Sequence, residues 1–252
     1  MTANFTGMTA LVTGTASGIG AASARWLDAQ GIERLILVDR DADGLNALEL
    51  SCVVERHAGD VSDPAFWQAL EPQIGRLDHA VVNAGIAAGA PIAEESFEQW
   101  RRIMSVNLDG AFLTLATALR LIAKGGNGGG VVLLSSVTGV KPMAGTGAYG
   151  SSKAALAHLA KIAALENAGA GIRVNAIAPG GVDTPIWDSD ANFRAMAADM
   201  GRDAAIAGFA SGTPLKRFAT PDEIAATIGF LLSAQAANIT GVVLSSDGGL
   251  AL

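Results

Sequence analysis

Short apolar runs alternate along this chain with longer stretches in which apolar residues return every three or four positions. Brief runs rich in Val, Ile and Leu read as buried strands, and the helical spacing between them reads as segments that cover a sheet. Strands are expected at 8–12, 34–38, 52–57, 78–82, 131–134, 172–177 and 242–245, and helices at 21–30, 41–50, 96–123, 149–168 and 221–233. The 96–123 stretch carries Trp100, Ile103, Met104, Phe112, Leu115, Ala116 and Leu119 at packing positions, and the 149–168 stretch carries Leu156, Leu159, Ala160, Ala163 and Ala164. Asn107 interrupts the first of these. An indifferent helix former at that place points to a bound water, a local bulge or a polar contact with a neighbouring strand. The regular alternation predicts a single α/β domain on a doubly wound parallel sheet of about seven strands. Ligands of such sheets sit beyond the carboxyl ends of the strands.

Composition narrows the classes of partner. The chain has 252 residues, half of them hydrophobic and 16% charged, enough for one large domain with a well-buried core. Its apolar runs are interrupted by Gly, Asn, Ser or charged residues before a bilayer-spanning length, so a soluble protein is expected. Residues 1–9 lack the basic and apolar regions of a signal peptide, and Cys52, the single cysteine, permits neither an internal disulfide nor a Cys-rich metal site. A cytoplasmic location follows as an expectation. With 24 acidic against 17 basic residues and no basic run, neither nucleic acid nor an anionic membrane is an expected partner, which leaves small molecules.

Candidate chemistry lies at the strand ends. The first strand runs into Thr13-Gly14-Thr15-Ala16-Ser17-Gly18-Ile19-Gly20 and then a helix. Glycines in such a turn let the backbone approach a pyrophosphate, whose charge the helix start favours, although they serve a plain tight turn equally well. Asp39 closes the second strand nineteen residues beyond Gly20, where an acid grips an adenosine ribose and repels the extra phosphate of NADP. Arg40 beside it would attract that phosphate. The acid at the strand end favours NAD, with NADP the less expected cofactor. Asp60 and Val61 are candidates for an adenine edge, though Asp60 also suits a helix N-terminal turn before Pro64. Asn83-Ala84-Gly85 is a small-residue turn that lets the chain pass close to a cofactor. Tyr149 and Lys153 lie four positions apart on one helical face, so the ammonium can favour the phenolate. The same pair also reads as a surface tyrosine beside a solvated lysine.

In order and spacing these motifs resemble the short-chain dehydrogenase/reductase family over nearly the whole chain, with a 3-oxoacyl reductase-like branch suspected. They are Thr13-Gly14-x-x-x-Gly18-Ile19-Gly20, Asp60, Asn83-Ala84-Gly85, Asn107, Ser136, Tyr149-x-x-x-Lys153 and Pro179-Gly180 with Thr184. The resemblance implies a Rossmann-like fold and an oxidoreductase that interconverts a secondary alcohol and a ketone by hydride transfer. The thirteen-residue step from Ser136 to Tyr149 is why Ser136 rather than Ser135 is assigned to catalysis. Carried over, Tyr149 is the general acid or base, Lys153 lowers its pKa and holds the nicotinamide ribose, Ser136 binds the substrate oxygen, and Asn107 holds a proton-passing water. Cofactor contacts are implied at Gly14, Ser17, Gly18, Ile19, Asp39, Asp60, Val61, Asn83, Ala84, Gly85, Tyr149, Lys153, Pro179, Gly180, Val182 and Thr184, without a metal. A homotetramer is implied as well. The readings left open beside this one are a 3-oxoacyl-thioester reductase and a cofactor-binding sensor without catalysis. The least family-like stretch is 185–213. Phe193, Met196, Ala197 and Met200 give it one apolar helical face, which either lids an apolar substrate with help from Trp187 and Met143, or packs on the domain.

Overall fold

A computed structural model describes residues 3–252, so Met1 and Thr2, at the head of the segment read as lacking a targeting signal, lie outside the described residues. The expected elements form, with ends shifted by at most three residues. Strands β1 (Thr9–Thr13), β2 (Arg34–Asp39), β3 (Val53–Ala58), β4 (His79–Val82), β5 (Gly129–Leu134), β6 (Ile172–Pro179) and β7 (Val243–Ser246) make one parallel sheet. Its order is β3-β2-β1-β4-β5-β6-β7. The period of two along each strand sorts the core. Ala10, Val12, Leu35 and Leu37 turn to one face, covered by α1 (Gly18–Ala29), α2 (Ala42–Ala47) and α9 (Pro221–Leu232). Leu11, Ile36 and Val38 turn to the other, under α3 (Pro64–Ile74), α5 (Gly110–Gly125) and α6 (Gly147–Asn167).

Two elements depart from the sequence reading. Only a helical turn before Pro64 is foreseen where α3 stands, because Pro64 and Pro72 both punctuate that stretch; Asp63 caps it and Trp67, Leu70 and Ile74 bury its inner face. The long helix at 96–123 is α4 (Phe97–Met104), a π turn at Ser105–Asp109, and α5. Asn107 sits inside the π turn and is fully buried, so the bulge is one part of the answer to its presence. Together Phe97–Gly125 make 29 helical residues, long and apolar enough by composition to cross a bilayer, contrary to the expectation that no stretch reaches that length. Leu115, Ala118, Leu121 and Ile122 are buried in the core on that helix, which explains its apolarity.

The sheet also buries a titratable group. His79 is held at the start of β4 with its Nε2 3.3 Å from the Met8 sulfur and its ring edge-on to Phe5. Burial lowers its pKa to about 4, against an opposing pull from Asp78. The unfolded chain therefore binds a proton that the fold refuses between pH 6.5 and about 4, so this residue's effect is nil above 6.5 and destabilises progressively as pH falls. The full penalty is about 3 kcal/mol. Urea unfolding should show roughly 2 kcal/mol less stability at pH 4.5 than at pH 7 from this source. In His79→Gln that increment should disappear; an unchanged pH slope would rule the histidine out as its origin.

The order reverses between β1 and β4, whose connections leave in opposite directions, and the crevice beyond their carboxyl ends is where such sheets bind ligands. Gly14, Asp39, Asn83 and Ser136 follow or end the strands on that side.

Candidate active site

The glycine turn is built to pass close to something. Gly14 and Gly18 hold φ of +73° and +55°, where a side chain strains the backbone. A Cβ on Gly20 would stand 1.9 Å from the Gly14 carbonyl oxygen, and one on Gly14 would stand 2.6 Å from Asn83 Nδ2. Asn83 closes this turn from the end of β4. Its Nδ2 donates to the carbonyls of Thr13 (2.8 Å) and Gly14 (3.2 Å), while Thr13 Oγ1 accepts the N–H groups of Asn83 (3.0 Å) and Ala84 (3.1 Å). Ser17 precedes α1 in extended conformation, exposed, without a side-chain capping bond. The first amides of α1 thus have no side-chain acceptor, as a phosphate at a helix start requires. Ile19 lies in the first turn of α1, half-buried.

Asp39 is fixed beside the turn: Oδ2 accepts the Ala16 N–H at 2.8 Å and Oδ1 the Asp41 N–H at 3.0 Å. A carboxylate retains further lone pairs for ribose hydroxyls. Asp60 is exposed and accepts both the N–H (2.8 Å) and the hydroxyl (2.7 Å) of Ser62 through one oxygen, while Asp63 caps α3. Val61 differs from its expected role. Its side chain is buried against Gly110 and belongs to the core, and its carbonyl accepts Trp67 Nε1 at 2.8 Å.

The residues expected to do the chemistry converge. Ser136 follows β5, and Tyr149 and Lys153 face it from the first turns of α6. The Tyr149 hydroxyl faces Ser136, whose side chain favours its phenolate, and Lys153 Nζ lies 5.7 Å from the tyrosine ring centroid. Ser135 instead donates its hydroxyl to the Lys153 carbonyl at 2.7 Å, which anchors α6 and leaves the site to Ser136. Lys153 is buried and donates to the Leu134 carbonyl at 2.8 Å, with two ammonium protons unassigned. Burial brings its pKa down to about 8. Gly85 passes close by: a Cβ there would meet Asn107 Oδ1 at 3.3 Å and Lys153 Nζ at 3.4 Å.

Two expected roles change. Burial pushes the Tyr149 phenol above its ordinary value, with Ser136 pulling the other way, so the lowering expected of Lys153 does not prevail. The Asn107 amide is committed to the backbone, its Oδ1 accepting the Ile86 N–H at 2.8 Å and its Nδ2 donating to the Ile86 carbonyl at 2.9 Å and to Ser152 Oγ at 3.3 Å. The side chain therefore serves first to lock the β4 loop beside Lys153, with a single Oδ1 lone pair left for a water.

The turn after β6 closes the site. Pro179 ends the strand buried, and Gly180 packs so closely on Asp247 that a Cβ would meet its Cα at 2.8 Å. Thr184 lies against the glycine turn, its Cγ2 3.2 Å from where a Gly18 Cβ would be. The Val182 carbonyl is engaged by Trp187 Nε1 at 2.8 Å. Beyond it come a 3-10 turn (Pro185–Ser189), α7 (Ala191–Met200) and α8 (Arg202–Ala210). Phe193 is buried inside this segment. It packs with Trp187, Phe209 and, through Trp187, Phe218, so these rings form a small core of their own. Arg202 ties the segment down, donating to Asp188 (2.7 Å), Asp183 (2.9 Å) and the Thr184 carbonyl (3.0 Å). Nothing in the sequence marks this clamp, because its partners lie fourteen to nineteen residues away.

A parallel sheet with a glycine-lined crevice at its reversal, and a serine, tyrosine and lysine gathered at its mouth, defines a dinucleotide-dependent oxidoreductase. Residues 14–251 match the family described as Enoyl-(Acyl carrier protein) reductase. The cis-4-hydroxycyclohexanecarboxylate dehydrogenase of Sinomonas cyclohexanicum is 36% identical over 250 residues, 95% of each chain. The D-threitol dehydrogenase of Mycolicibacterium smegmatis is 38% identical over 260 residues, covering 96% of this chain and 92% of that one. Among solved structures, L-sorbose reductase from Gluconobacter frateurii, complexed with NADPH and L-sorbose, superposes with a TM-score of 0.91 at 30% identity over 99% of this chain and 98% of its own. The chain belongs to the short-chain dehydrogenase/reductase family, whose matched members here are secondary-alcohol dehydrogenases and ketone reductases.

Proposed function

We propose that this protein interconverts a secondary alcohol and a ketone with NAD as hydride carrier and Tyr149 as general acid and base. The observation that carries the reading is the convergence of Ser136, Tyr149 and Lys153 beside the crevice, with Lys153 Nζ 5.7 Å from the tyrosine ring centroid. Bound there, a nicotinamide cofactor supplies or accepts the hydride. The protein's own groups do the rest. In reduction the Tyr149 hydroxyl gives its proton to the substrate oxygen, and in oxidation the phenolate takes it back. Ser136 donates a hydrogen bond to the same oxygen as charge develops on it. Lys153 offers its spare ammonium protons to ribose hydroxyls and a positive charge to the phenolate. Gly14, Ser17, Gly18 and Ile19 would line the cofactor's pyrophosphate; Asp39, Asp60 and the Val61 backbone would face its adenosine; Asn83, Ala84 and Gly85 would flank it; and Pro179, Gly180, the Val182 N–H and Thr184 would serve its carboxamide. The test is cofactor absorbance with a panel of cyclic secondary alcohols, acyclic polyols and their ketones. No hydride transfer with any member, using either cofactor, would refute the reading.

NAD preference rests on the Asp39 carboxylate, held against the glycine turn where a 2′-phosphate would meet its charge. A related structure holds NADPH, so the point needs direct measurement. Asp39→Ala should narrow the NADH-to-NADPH ratio of kcat/KM by roughly tenfold or more. Comparable values for the two cofactors in the unmodified protein would contradict the preference.

We propose further that 185–213 is a lid moving as one body, held by its ring cluster and Arg202, over an apolar, ring-containing substrate. The cyclohexane substrate of one relative supports this, while threitol and sorbose argue for polyols. Exposed Phe97 and Phe112 on the α4–α5 helix and Ile162 and Leu165 on α6 support self-assembly, which we propose goes to a homotetramer, and the single cysteine suits a cytoplasmic location. Light scattering at micromolar concentration should give four times the chain mass; a monomer would exclude it.

A further inference from the structure

Building on that reading, we propose that Thr138 is a positioning residue for the reaction, which fixes Ser136 as a hydrogen-bond donor toward Tyr149 and the substrate oxygen. The short 3-10 turn Val137–Gly139 follows Ser136 directly and brings Thr138 back over it. Ser136 Oγ then receives two hydrogen bonds from one residue, the Thr138 N–H at 3.2 Å and the Thr138 hydroxyl at 3.0 Å. A serine hydroxyl has one proton and two lone pairs. The amide can only donate, and with the threonine hydroxyl donating too, both lone pairs are filled. The serine proton has one use left, which is to point outward to an acceptor.

That acceptor is at hand. The Tyr149 oxygen faces Ser136, whose side chain favours the phenolate, and in turnover the substrate oxygen takes the same place. Both are where negative charge must be held, on the phenolate before oxidation and on the substrate oxygen as hydride moves. A serine free to rotate would spend part of its time accepting a proton from the phenol, which favours the neutral form. Thr138 removes that option. It touches neither substrate nor cofactor in this role and exchanges no proton, so no bond to it forms or breaks. The charged groups flanking Tyr149 are Lys153 on its own helix and Glu95, which reaches over from before α4 to accept the Ala148 N–H at 3.2 Å. Neither contacts Ser136 or Thr138 by a hydrogen bond, so a change at Thr138 leaves their charges in place.

The chain contains one tyrosine, so the ultraviolet change on phenolate formation reports Tyr149 alone. Thr138→Val keeps the side chain's shape and removes its hydroxyl. In the protein without cofactor, the tyrosine midpoint should rise by about half a pH unit to one unit relative to the parent. With saturating NAD, kcat/KM for alcohol oxidation should fall roughly fivefold to tenfold at neutral pH and converge on the parent at high pH. Thr138→Ser should restore both. Thermal unfolding and NAD binding confirm that the variants are folded, and Thr138→Ala gives the same comparison if valine prevents folding. Superimposable titrations and rate profiles for parent and variants would overturn the proposal, as would a loss equal at every pH that serine does not restore. The free-protein titration stands whether or not the parent turns over an alcohol, so failure of the proposed activity is read separately from failure of Thr138.

Discussion

Tyr149→Phe should reduce turnover about a thousandfold while NAD affinity stays within a few-fold, because one hydroxyl leaves and almost no binding surface goes with it. The phenol's contacts make this a clean substitution. Its hydroxyl faces Ser136, and the ring, which phenylalanine keeps, lies near Lys153 and half-buried at the mouth of the crevice. The ammonium–ring contact therefore survives. What disappears is the group proposed to exchange a proton with the substrate oxygen. Single-turnover absorbance of bound cofactor separates this from a binding defect. A variant that keeps turnover near the parent's would remove Tyr149 from the proton transfer.

Lys153→Ala should damage both catalysis and cofactor binding. The ammonium is 5.7 Å from the phenol ring centroid, where its positive charge favours the phenolate. Burial pushes Tyr149 the opposite way, so losing the charge leaves desolvation to act against the phenolate with only Ser136 to oppose it. A roughly hundredfold fall in kcat/KM for oxidation is expected at neutral pH. The Leu134 carbonyl also loses its 2.8 Å donor where β5 meets the site. NAD should bind about tenfold more weakly, from the lost ribose contact and the disturbed strand end. Because burial brings Lys153 to a pKa of about 8, the parent's advantage over the variant should shrink as pH rises through 8 and the ammonium discharges. Equal NAD dissociation constants for parent and variant would show that the lysine does not hold the cofactor.

How far the sequence reached depends on whether a property is local. Strands and helices were legible because apolar period and length are written in consecutive residues, and the Gly14–Gly20 turn because only glycine tolerates its φ and its 1.9 Å approach. The convergence of Ser136, Tyr149 and Lys153 was legible through the helical step of four and the match to a known spacing. Tertiary balances were not. Whether Tyr149 titrates high or low is a contest between burial and distant charge, and the pattern Tyr-x-x-x-Lys contains the charge but not the burial. Asn107 announced itself as anomalous in a helix, yet its amide is spent on Ile86, which lies on another segment. Val61 and Phe193 looked able to face a ligand and turn inward instead, because a large apolar side chain follows the larger buried area. The Arg202 clamp joins charges with no sequence spacing to betray them.

The central claim is that the phenol of Tyr149 exchanges the proton during alcohol–ketone interconversion, and the single tyrosine makes it measurable on one sample. Phenolate formation by ultraviolet difference and kcat/KM for alcohol oxidation are followed against pH in the same NAD-saturated protein. Coincident midpoints, with the rate limb absent from Tyr149→Phe, are the predicted result. A rate limb that persists in the phenylalanine variant, or that falls at a pH where the tyrosine does not titrate, would contradict the account.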